Sequence, residues 1–94
     1  MKNKETKPQE ELKNLSLEEI REYLETNLPL MIKREDVKPL TGLYAKSTLA
    51  NADCQGSGPK NPISINSRTV AYMRSNLIDW IIERIDAERK KKGL

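Results

Sequence analysis

Five aliphatic side chains fall within nine positions near the C-terminal end of this chain. They are Leu77, Ile78, Ile81, Ile82 and Ile85, and their spacing predicts a helix over residues 76 to 92 with one broad apolar stripe and Trp80 near its edge. No other stretch is as rich in aliphatics, so this helix is the piece against which the rest must pack. Ser75 is expected to cap its start. Arg89, Lys90, Lys91 and Lys92 close it, where cations complement the macrodipole. That is a sufficient structural reason for the run.

The remainder is polar. Of 94 residues, 36% are hydrophobic and 33% charged, which limits the chain to one small domain with a modest core and a tail. The aromatics are Tyr23, Tyr44, Tyr72 and Trp80, and the sequence contains no His. Without His, no His-dependent triad, dyad or zinc site can be built from the chain alone. Cys54 is the only cysteine, so no internal disulfide forms, and the usage suits a reducing compartment. Cys54 reads as a small apolar residue on a helix rather than a reactive thiol. No paired acids suggest a cleft. No catalytic residue, metal, cofactor or enzymatic activity is expected. Residues 1 to 11 lack an apolar stretch, and no run approaches the roughly 20 residues of a membrane span. The expectation is a soluble cytoplasmic protein with no membrane partner.

Residues 1 to 11 alternate in charge and are expected to form a disordered tail. Residues 12 to 29 form the next unit, an N-terminal amphipathic helix over 16 to 28. Ser16 and Glu19 make a capping box, and Leu17, Ile20, Leu24 and Leu28 follow helical spacing. Leu12 and Leu15 can staple its start, and Pro29 stops it. This helix either packs on its own domain or serves as a dimerisation or partner-binding face.

The third unit, residues 30 to 94, opens with a short helix over 33 to 40, with Val37 and Leu40 inward. Pro39 requires that the helix start late or kink. Gly42 is the natural left-handed stop, and a second helix over 45 to 54 follows. Leu49 points inward there, with Ala45, Ala52 and Cys54 beside it. Lys46, Ser47, Thr48 and Asn51 lie on the other side. Short donors and acceptors of this kind suit base edges and phosphates; an ordinary solvated face is the alternative.

Residues 55 to 62 read as a loop. Residues 63 to 66 and 69 to 73 alternate as strands do, with Ile63 and Ile65 on one face and Val70 and Tyr72 on another. Asn66, Ser67 and Arg68 make the hairpin turn, with a basic tip. A hairpin alone is marginal, so it must pack on the helices and leave its tip projecting. Charge is uneven along the chain: net −2 over residues 1 to 29, +4 over 30 to 74 and +1 over 75 to 94. A basic middle is a modest pointer to a polyanion.

The order helix, Gly turn, helix, hairpin, helix is that of a mostly helical α+β winged helix-turn-helix, here with an extra N-terminal helix. Residues 31 to 85 resemble the small AlpA-like and excisionase-like DNA-binding proteins, relatives of the MerR-type reader domain common on prophages and integrative elements. The resemblance rests on Ile32-Lys33, Val37, Leu40-Thr41-Gly42-Leu43, Ser47-Thr48-Leu49, Gly56 to Pro59, Val70, Tyr72, Ser75, Leu77, Trp80 and Ile81. The chain departs from the pattern at Pro39, at Tyr44-Ala45-Lys46, which adds a residue, at Ala50, and at a wing turn that is not Gly-rich.

The resemblance implies that the second helix enters the major groove of double-stranded DNA through Lys46, Ser47, Thr48 and Asn51. An Asn amide can read adenine with two hydrogen bonds, so Asn51 is the expected reader. Asn66, Ser67 and Arg68 would lie on the backbone or in the minor groove. Lys33, Arg34, Lys60 and Arg74 would add phosphate contacts. One such reader covers few base pairs, so a homodimer or a cooperative multimer on DNA is expected. The function implied is transcriptional regulation. The alternatives are a recombination directionality factor that bends an attachment site beside an integrase, and a protein-binding adaptor acting through residues 16 to 28 and the last helix.

Overall fold

A computed structural model describes residues 15–93. The tail expected over 1 to 11 and the stapling role of Leu12 lie outside the described residues. In chain order the elements are helix α1 (Leu17–Asn27), strand β1 (Met31–Lys33), a 3-10 turn (Arg34–Asp36), helix α2 (Val37–Thr41), helix α3 (Lys46–Cys54), strands β2 (Ile63–Asn66) and β3 (Thr69–Met73), and helix α4 (Arg74–Lys91). Among the described residues this is a small α+β arrangement of four α-helices and one antiparallel sheet in the order β1-β3-β2.

α1 forms as its capping chemistry predicts. The Glu19 amide donates to Ser16 Oγ at 3.1 Å, and Glu19 Oε1 accepts from the Ser16 amide at 2.9 Å. Leu24 and Leu28 are buried, and Leu17 and Ile20 pack on the same cluster. That face lies along α4, and an Arg21–Asp79 ion pair at 2.8 Å joins the two helices on their outer side. α1 and the segment after residue 30 therefore share one core. Of the two roles open to this helix, its apolar stripe serves the first.

α4 is the central element. Leu77, Ile78 and Ile81 are fully enclosed and Ile82 is buried. Trp80 is not at the margin of the stripe but in the core, 6% exposed, because its indole Nε1 finds a partner there and donates to the Ser57 carbonyl at 2.7 Å. Ser75 does not cap the helix. α4 runs straight out of β3, beginning at Arg74 after Met73, and the Arg74 amide donates to the Leu30 carbonyl at 2.8 Å. A neighbouring strand end takes the place of a side-chain cap.

The sheet has three strands, not the expected two. Met31–Lys33 pairs antiparallel with the free edge of β3, with Ile32 opposite Tyr72. Both of these residues are buried. A third strand relieves the marginal stability of a lone hairpin. Residues 33 to 40 consequently split into the end of β1, the 3-10 turn and α2. α2 starts at Val37, so Pro39 sits in its first turn, where a missing amide costs little. Leu40 is 50% exposed rather than inward, because so short a helix buries only Val37. Gly42 ends α2 in the left-handed region at φ 79, as expected.

The hairpin turn is tighter than the sequence suggests. Asn66 pairs with Thr69, leaving Ser67 and Arg68 as the turn, and Asn66 Oδ1 accepts from the Arg68 amide at 2.8 Å. The register slips between Ser64 and Asn66. That bulge takes Ile65 out of the alternation with Ile63 and leaves it 52% exposed.

Candidate nucleic-acid interface

α3 presents the polar face. It buries Leu49 and Ala52 and exposes Lys46, Ser47, Thr48 and Asn51. At helical spacing Ser47, Asn51 and Cys54 fall on one line, at i, i+4 and i+7. Cys54 is exposed on that line, not inward beside Leu49 as expected. Cys54 follows Leu49 by five positions, about 140° around the helix, whereas Asp53 follows it by four, about 40°, so Asp53 takes the inward place. The N-cap is Ala45, which has no side-chain oxygen, so no side chain caps the amides of the first turn. They remain donors at the positive end of the helix.

The fate of Asp53 decides the charge of this face, since it is the only acid in α3. Asp53 Oδ2 accepts from Arg34 Nη2 at 2.6 Å and from the Tyr72 hydroxyl at 2.6 Å. Arg34 Nε donates in turn to the Tyr72 oxygen at 3.0 Å. The Arg34 and Asp53 side chains are 18% and 12% exposed. Three elements meet in this triangle: the 3-10 turn, the last turn of α3, and β3. Burial of the Tyr72 phenol, with help from the Asp53 carboxylate, pushes its pKa up to about 12. Gly58 borders the triangle closely. A Cβ there would overlap the Asp53 carboxylate and crowd the Asp53 amide.

The cations singled out in the sequence divide into two groups. Arg34 and Arg74 are committed internally. Arg34 neutralises Asp53, and Arg74 Nη1 donates to the Leu28 carbonyl at 3.1 Å, tying the start of α4 to the end of α1. Each of these two guanidinia has a structural role within the fold, beside a partly buried oxygen acceptor. Lys33, Lys46, Lys60 and Arg68 are exposed, and none has a carboxylate partner among the described residues. Asn66 and Ser67 are exposed at the hairpin turn beside Arg68. Lys38, exposed on α2 and also without a carboxylate, joins the second group. Nothing in its sequence neighbourhood distinguishes it from an ordinary surface lysine.

Two groups central to the geometry, Asp53 and Tyr72, carry only faint sequence signals as partners. Asp53 is one of three acids in the basic middle of the chain, on a helix otherwise without negative charge. Among the described residues no group of three or more His, Cys, Asp or Glu side chains is placed to hold a metal ion, and no helix is long and apolar enough to cross a membrane. In comparison with known proteins, the chain matches no family model, no curated protein and no solved structure.

Proposed function

We propose that this protein is a sequence-specific double-stranded DNA-binding protein of the winged helix-turn-helix kind, acting as a transcriptional regulator. α2, the Gly42 turn and α3 form the helix-turn-helix, and β2–β3 forms the wing. The observation that carries the proposal is the charge of α3. Its single acid is folded inward and neutralised by Arg34, leaving an exposed face of Lys46, Ser47, Thr48 and Asn51 without a carboxylate. A carboxylate on that face would repel phosphates and could accept only from the amino groups of the bases. Its removal leaves the amide and hydroxyls to read bases and hold the backbone.

The cations Lys33, Lys38, Lys60 and Arg68, exposed and without a carboxylate partner among the described residues, supply sequence-independent affinity, with Arg68 at the wing tip. The likeness to AlpA-like and excisionase-like proteins supports the same reading. The adaptor alternative is weakened because the apolar stripe of α1, its main candidate surface, is taken up by α4.

Fluorescence anisotropy against DNA flanking the protein's own gene, and against the same DNA shuffled, tests the proposal. Asn51→Ala should erase the preference for native DNA, at a cost of about 1–3 kcal/mol on the preferred sequence. Arg68→Ala should weaken both DNAs alike. Absence of binding to either DNA at low salt would sink the reading.

A further inference from the structure

We infer that the β2–β3 hairpin enters the minor groove and selects A·T over G·C pairs there, with Ile65 as the selecting side chain and Arg68 holding the rim. The inference rests on the proposed DNA binding and deepens it, since it assigns part of the base preference to a strand residue rather than to α3.

The bulge gives the first argument. Asn66, not Ile65, stands opposite Thr69, so Ile65 is the extra residue that β3 leaves without a partner. A bulge re-aims a side chain, and the one re-aimed here is aliphatic and 52% exposed. β2 is an edge strand, and a bulge at an edge also guards against pairing with a foreign strand. That purpose asks for a charged side chain in water, Lys above all, and not for an isoleucine.

Electrostatics gives the second. The sequence has 14 acids in 94 residues, yet none falls between Asp53 and Asp79. That span holds Arg74, which is bonded to the Leu28 carbonyl, and two exposed cations, Lys60 and Arg68. Neither of the two has a carboxylate partner among the described residues. The hairpin and the loop before it thus offer a partner positive charge and no carboxylate, which suits a polyanion.

The turn gives the third. Ser67 and Arg68 alone close the hairpin, and Asn66 Oδ1 fixes the tip by accepting from the Arg68 amide at 2.8 Å. So slim a tip suits the minor groove, which is about 6 Å wide. A contact with phosphates alone would use Arg68 and leave Ile65 in water. On the floor of that groove A·T and T·A pairs look alike, and a G·C pair differs by the guanine amino group. That group stands out where a branched aliphatic side chain would rest, and it needs an acceptor that isoleucine cannot supply. Shuffling a sequence keeps its composition, so this preference is separate from the pattern assigned to Asn51.

The test uses the full chain, fluorescence anisotropy and duplexes from the DNA flanking the protein's own gene. A·T pairs are replaced in short blocks, once by G·C and once by inosine–cytosine pairs. The inosine pair keeps the major-groove pattern of G·C but lacks the minor-groove amino group, so it separates the two grooves. In one block the native protein should bind the A·T and inosine duplexes alike, and the G·C duplex about fivefold more weakly or worse. Ile65→Thr keeps the β-branched shape and supplies a hydroxyl that can accept from the amino group, so its A·T and G·C affinities for that block should come within about twofold. Asn51→Ala should leave the pattern of that block as it is. Should Ile65→Thr lose its native circular dichroism, the inosine comparison decides, since it needs no variant. Inosine and G·C duplexes bound alike in every block would overturn the inference and leave the proposed function standing. So would a folded Ile65→Thr protein that discriminates as the native one does. Absence of binding to any duplex at low salt would remove both readings.

Discussion

The Tyr72 hydroxyl lies 2.6 Å from Asp53 Oδ2, and this contact joins the central strand β3 to the last turn of α3. Arg34 closes the triangle from the 3-10 turn. α3 therefore rests on more than the burial of Leu49 and Ala52. Its C-terminal end is fixed by an ion pair and hydrogen bonds, and those interactions also remove negative charge from its outer face.

Breaking the triangle at its acid should be costly. Asp53→Ala leaves the Arg34 guanidinium largely out of water with no counter-ion and the Tyr72 hydroxyl without its acceptor. The expected loss is about 3 kcal/mol, the scale of a broken buried pair. Urea unfolding of the variant measures it. A loss within about 0.5 kcal/mol, the range of an ordinary surface substitution, would mean that the triangle contributes little.

The raised Tyr72 pKa makes a prediction at high pH. The phenol ordinarily titrates near 10.0 and is held near 12 in the folded protein. Between these values the folded state keeps a proton that the unfolded chain releases. The contribution is thus complete below pH 10 and is lost as pH rises toward about 12. Unfolding free energy should fall more steeply across that window in the native protein than in Tyr72→Phe. Parallel curves for the two proteins would argue against the shift.

Gly58→Ala should act on the same triangle from the loop side. The new methyl would overlap the Asp53 carboxylate, which cannot swing aside without leaving Arg34 and Tyr72. A destabilisation of about 1–3 kcal/mol is expected, the range for overpacking a close contact. Combined with Asp53→Ala, the methyl should cost less than it does alone, because its main obstacle is gone. Strict additivity of the two changes would show that the clash is with the Asp53 backbone.

What the sequence disclosed is divided by range. Ser16 and Glu19 are three residues apart, and their capping box could be read directly. So could the left-handed Gly42 and the apolar stripe of α4, since local spacing determines each. Met31–Lys33 could not be read as a strand: three residues hold too little periodicity, and this strand exists because β3 offers a free edge from across the chain. The inward turn of Arg34 was hidden for the same reason, since its partners lie 19 and 38 positions away. The polar face of α3 was legible, whereas its freedom from negative charge was a tertiary fact.

That tertiary fact separates two kinds of cation, and salt dependence can distinguish them. On the proposed function, Lys46 and Arg68, exposed and without a carboxylate partner among the described residues, should each release about one counterion on meeting phosphate. Lys46→Ala and Arg68→Ala should then each reduce the slope of log K against log salt by about 1, with little change in thermal stability. Arg34→Ala should do the reverse. It uncovers the Asp53 carboxylate at the end of α3, so stability falls, and DNA affinity falls through repulsion rather than through a lost contact. Restoring neutrality at that site with Asp53→Asn in the Arg34→Ala background should recover part of the affinity. An Arg34→Ala protein that is as stable as the native one but has a shallower salt slope would return Arg34 to the set of phosphate contacts and remove the charge argument for α3.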